Sequence, residues 1–238
     1  MNYQPGVGAL LNEAKGAPRH LAVVRITHWL IAAAVLGLTA SGIAILVAHP
    51  RLYWGETGAV GTDSLVDLPI PFIIGLSPWN RPIHFFFAWL LVLTALTYVA
   101  GGWATQHFRK DLLPAKTDLN WHSISGVISH HLRWKRIRAD EAGSYNVVQQ
   151  LTYLAVVFVL FPAIVWTGLA MSPGVTAVFP AVATTVGGHQ SVRTLHFVVA
   201  ALLVLFVVVH IAMLFLVGFT SHVRAMITGR MPGERRSR

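Results

Sequence analysis

Residues 193–219 read RTLHFVVAALLVLFVVVHIAMLFLVGF. A helix of about 20 apolar residues crosses a bilayer, and this run is long enough to do so. It nevertheless carries two histidines, His196 and His210. An ionisable group at membrane depth is costly, and those retained there face a protein interior and mark a cofactor, an ion or a proton path. The two lie fourteen positions apart. At about 100° per residue that spacing returns to within about 40° of the starting direction, and at about 1.5 Å rise it separates the rings by roughly 21 Å. Both imidazoles then leave one face of the helix, near opposite membrane surfaces. Such a helix can give one axial ligand to each of two stacked b-type haems, with the partner ligands drawn from other helices.

The rest of the chain has the composition of a polytopic membrane protein: of 238 residues, 55% are hydrophobic and 11% charged. It contains no cysteine, which excludes disulfides, cysteine-held iron–sulfur clusters and covalent haem attachment through CxxCH. The first twenty residues hold no apolar core ahead of a small-residue cleavage site, so the first apolar run is expected to stay in the membrane. Four runs are long enough to span, about 26–48, 84–103, 150–170 and 194–219. Four crossings put both termini on one side. Of the 18 lysines and arginines, fifteen fall before the first run, in the loop 106–145 or after the last run; only Arg51, Arg81 and Arg193 fall on the other side. That asymmetry predicts cytoplasmic termini, a cytoplasmic central loop and periplasmic loops at 49–81 and 171–193. The basic charge is thereby a topology signal beside lipid headgroups, and no nucleic-acid partner is expected.

Depth then pairs the histidines. His28 stands about one turn inside the start of the first span, level with His210 near the end of the fourth. His84 stands just inside the start of the second span, level with His196. A lone interfacial histidine would read as a helix cap; the matched depths favour ligand pairs, His28/His210 and His84/His196. Gly42, fourteen residues beyond His28, leaves space for a porphyrin or for helix packing. Arg25 lies beside the first pair and Arg81 and Arg193 beside the second, placed for haem propionates or for lipid headgroups.

The third span carries no histidine but contains Pro162 and Gly168, which predict a kink. Tyr145, Asn146, Gln149 and Gln150 precede it. They form either a polar cluster for a quinone headgroup or, through Asn146, a helix cap. The central loop holds His107, His122, His130 and His131 without metal-ligand spacing, and an interfacial amphipathic helix is expected around 121–138. The loop 49–81, broken by prolines and glycines, offers aromatic and acidic residues either to a docking partner or to packing over the helices.

RITHW, PRLYWGETG, HFFFAW, QHFRKDLLP, YNVVQQLTY, TGLAMSPG and the TLH of His196 together resemble the bacterial cytochrome b561 and nickel-hydrogenase cytochrome b superfamily. The resemblance covers nearly the whole chain and is nearest to the cytochrome b subunits of thiosulfate reductase and formate dehydrogenase. It implies the same ligand pairs, His28 with His210 and His84 with His196, and it implies quinone contact for Asn146. It also implies an electron partner, a periplasmic molybdenum oxidoreductase first and a nickel–iron hydrogenase second. With no nucleotide-binding glycine pattern in the chain, substrate conversion is expected in another subunit.

The expected protein is an all-α membrane protein forming a single membrane domain over 1–238. It is a four-transmembrane-helix bundle of the bacterial inner membrane, binding two b haems. It moves electrons between the quinone pool and a periplasmic redox partner. The rival from a different class is a stand-alone superoxide oxidase of the b561 type that reduces quinone without a partner.

Overall fold

The computed structural model describes residues 22–56, 62–70, 77–104 and 151–229. It is helical apart from one pair of two-residue strands among the described residues. Among the described residues, four helices are long and apolar enough to cross a membrane. They are α1 (Ala22–Ala48), α2 (Asn80–Ala104), α3 (Leu151–Ala170) and α6 (His189–Val217). Two short helices, α4 (Pro173–Val178) and α5 (Ala181–Thr184), lie between α3 and α6. A further helix, α7 (Phe219–Thr228), follows. The four-span, all-α architecture expected from hydropathy is therefore present.

Three features differ from the sequence reading for a local reason. α1 begins at Ala22, so His28 sits well inside the helix rather than at its cap. The fourth run ends at Gly218, whose φ of 118° a residue with a side chain rarely adopts, and the chain restarts as α7. Gly229 (φ 79°) then closes α7 as a left-handed C-terminal glycine. The kink expected in the third span takes the form of a wide turn: Val156–Leu160 is π-helical, and the Phe161 N–H bonds to the Val156 carbonyl. Pro162, in the next turn, has no N–H to give and its ring crowds the carbonyl four residues back, so the ladder opens just ahead of it.

The chain divides into two compact units. The first comprises Met1–Gly42, Pro78–Val99 and Phe206–Arg238. Within it α1 buries Thr27, Ala34 and Ser41. These are seven residues apart and so fall on one stripe of the helix, and they are small, which lets backbones approach in a medium where lipid gives no hydrophobic drive to helix pairing. Gly37 serves the same end, because a Cβ there would overlap the Phe87 ring of α2. Larger apolar side chains such as Leu36, Phe86, Leu93 and Val208 point outward, as a lipid-facing surface requires.

The second unit comprises Ile43–Ser77 and Ala100–Leu205. Its core is the cluster Ala170, Ala183 and Val192, with Met171, Val182 and Val186 packed against it. The first interhelical loop is not loose at its start. Strands β1 (Arg51–Leu52) and β2 (Val66–Asp67) pair antiparallel, with Arg51 opposite Asp67, and these two also form an ion pair. The loop is then tied to the start of α6. Ser191 Oγ accepts from the Gly55 N–H, the Gly55 carbonyl accepts from the Gln190 N–H, and Thr194 Oγ1 donates to the Tyr53 carbonyl. Gln190 N–H is one of the orphan donors of a helix start, so the loop serves as the cap of α6.

Candidate functional site

The four histidines occupy three described settings. His28 of α1 and His210 of α6, 182 positions apart in the chain, come together within the first unit, with ring centroids 6.4 Å apart and planes at 53°. His28 has Trp29 edge-on at 5.5 Å, and His210 stacks on Phe206 at 5.9 Å, one turn earlier in the same helix. Depth and the family resemblance both pair these two residues as expected ligands, and in the structure their rings lie close and tilted.

His84 of α2 is half-buried, and its Nδ1 is 2.9 Å from Ser41 Oγ of α1. Gly42 lies against the same ring, where an added Cβ would stand 3.6 Å from His84 Cε1. The space seen beside Gly42 in the sequence is thus occupied on one side by the His84 imidazole. In the second unit His196 of α6 is half-buried too, with Nδ1 2.9 Å from Thr167 Oγ1 of α3. Gly168 lies against that ring, its hypothetical Cβ 3.5 Å from His196 Cε1.

The arginines stand at helix ends. Arg25 donates to the Ile227 carbonyl at 2.8 Å, and Trp29 Nε1 to the Met226 carbonyl at 3.4 Å, so the start of α1 holds the last carbonyls of α7. A cation at a helix C-terminus is favoured by the dipole. Arg193 donates to the His49 carbonyl at the end of α1. Arg81 is exposed in the first turn of α2. A guanidinium carries five donors, so the backbone bond to Ile227 leaves Arg25 capacity for an anion. Tyr145, Asn146, Gln149 and Gln150 lie outside the described residues, as do the central-loop histidines and the amphipathic segment expected around 121–138.

The comparisons with known proteins decide the family. The sequence profile of prokaryotic cytochrome b561 matches residues 19–229. The chain belongs to the prokaryotic cytochrome b561 family. A putative protein-methionine-sulfoxide reductase subunit, YedZ1, of Azospira oryzae is 31% identical over 209 residues, covering 87% of this chain and 93% of that protein. No solved structure matches it. Members of the cytochrome b561 family are membrane haem proteins of electron transport, and the residues present suit a b haem. Two imidazoles sharing one metal on opposite sides, each at about 2 Å as in other histidine sites, would hold their centroids roughly 6 Å apart once the ring radius is added. The His28–His210 separation agrees with this.

Neither Ser41 nor Thr167 stands out in the sequence as a partner of a histidine. The available signal was the repeated pattern of a hydroxyl residue directly before a glycine, Ser41-Gly42 and Thr167-Gly168, each within an apolar span.

Proposed function

We propose that this cytochrome b561-family chain is a dihaem electron carrier of the bacterial inner membrane, working between the quinone pool and a periplasmic redox subunit. The observation that carries the reading is the facing pair of His28 and His210, at a spacing suited to one metal, inside helices otherwise apolar. His84 and His196 are the proposed ligands of the second haem, on the depth argument and the family resemblance. A bound b haem supplies one-electron transfer, and ligation, burial and hydrogen bonding tune its potential.

The chain's own residues do the rest. His28, His210, His84 and His196 would hold the iron through neutral imidazoles and orient the haems. The apolar spans exclude water. Arg25, Arg81 and Arg193 are the proposed partners of haem propionates, through charge-assisted bonds. Tyr145, Asn146 and Gln149 are the proposed quinone contacts, on the side that the positive-charge asymmetry of the sequence predicts to be cytoplasmic. The Azospira relative is named as a subunit of a reductase, which supports a reading in which substrate conversion is done by another chain. A periplasmic molybdenum oxidoreductase is the proposed partner. The loop that begins with β1 and is tied to the start of α6 offers it a firm surface.

The test is haem content of the purified full chain, together with its spectrum after adding a quinol analogue. Two b haems per chain, at least one of them reduced by the quinol, is the expected result. One haem or none in folded protein overturns the paired assignment and the path across the membrane.

A further inference from the structure

His84 and His196 receive the same two-residue device, each from a neighbouring helix within its own unit. The hydroxyl of Ser41 or Thr167 meets Nδ1 at 2.9 Å, and a Cβ added at the following glycine would come into ordinary contact with Cε1. Each hydroxyl has a second neighbour: Ser41 Oγ is 2.7 Å from the Gly37 carbonyl, and Thr167 Oγ1 is 2.7 Å from the Ala163 carbonyl. A hydroxyl has one proton, and a carbonyl can only accept. The proton therefore goes to the carbonyl four residues back, and the hydroxyl oxygen must accept from the ring. Nδ1 then carries the hydrogen and Nε2 the lone pair, the state in which a neutral imidazole binds a metal through Nε2.

We infer that Ser41 and Thr167 are positioning residues that fix the tautomer and ring orientation of His84 and His196 and thereby tune the haem these histidines hold. The inference rests on the ligand assignment proposed above. Donation from Nδ1–H to an acceptor makes the imidazole a stronger ligand. A stronger donor favours the oxidised iron, so the hydroxyls lower the haem potential. Self-satisfaction on the helix is not the whole of their role. Thr27, Thr39 and Thr97 bond the carbonyl four residues back in the same way, whereas Ser41 and Thr167 add the imidazole as a second partner.

The test uses the full chain purified with its haem. Ser41→Ala and Thr167→Val are compared with the conservative Ser41→Thr and Thr167→Ser, and His84→Ala serves as the ligand control. The readouts are potentiometric titration of each haem's absorption band, the ferric electron paramagnetic resonance spectrum, and haem retention against an apo-protein acceptor. The expected result is a raised potential of one and the same haem component in both Ser41→Ala and Thr167→Val. Haem retention should fall about 10- to 100-fold at that component, with wild-type behaviour in the two conservative variants. An unchanged potential at full haem content overturns the inference, and so does an equal shift of both components. If His84→Ala leaves the haem complement intact, the ligand assignment falls, and the inference with it.

Discussion

His28 and His210 are arranged through aromatic rings, Trp29 edge-on to one and Phe206 stacked on the other, whereas His84 and His196 each meet a hydroxyl through Nδ1. The two means control different things. A stacked ring fixes the plane of an imidazole and is indifferent to which nitrogen carries the proton. A hydroxyl whose own proton is already committed fixes the nitrogen as well. If the proposed ligand pairs hold, such contacts would give the two pairs different ligand strengths through neutral groups, which matters where charge is costly.

The comparison breaks most completely if the pairs are not independent. His210→Ala removes one of two neighbouring rings, and on the proposed assignment the expected outcome is loss of about half the haem per chain, with the band of the haem proposed at His84 and His196 retained. Haem quantification with the reduced spectrum checks this, and loss of both haems at once would show a single coupled site. A smaller effect is expected from Gly37→Ala, since the new Cβ would overlap the Phe87 ring and the Gly37 carbonyl is the acceptor for Ser41. Overpacking of this kind costs about 1–3 kcal/mol. Thermal melting followed at both haem bands should show the His84-linked band failing first. The smallest effect is expected from Phe206→Leu, which removes an aromatic contact worth about 0.5–1.5 kcal/mol. It should alter the ferric resonance of the haem proposed at His28 and His210 through ring orientation while leaving that of the second proposed haem as in the wild type.

The spans were legible because a bilayer sets their length and apolar content, and the polar loops between them are unmistakable. The His28–His210 meeting was legible for a related reason. Once topology runs two helices in opposite directions, residues near opposite ends of their sequences share a depth. The hydroxyl partners were less so. In an apolar helix Ser41 and Thr167 look like residues that bond their own backbone, and they do that too. Only the angular relation between helices reveals the second bond, and sequence spacing within one helix carries no such angle. The strands β1 and β2 span two residues each, too few to show a period, and their pairing is set by the loop's ties to α6. Pro162 announced a disturbance in the third span but not its kind.

That disturbance has a consequence for length. The wide turn at Val156–Leu160 stores one residue more than an α-helix of the same rise needs. It lies upstream of Thr167, so it sets the phase of the hydroxyl relative to the beginning of α3 without touching His196. A chain one residue shorter in this turn, with Pro162 replaced so that the α-helical ladder can close, would keep both flanks of the helix in register. The same loss between Pro162 and Thr167 would swing the hydroxyl about 100° around the helix relative to the preceding turns. Tolerance to insertion and deletion in this helix is therefore gathered into a single turn, and the remainder of α3 behaves as a ruler of fixed length.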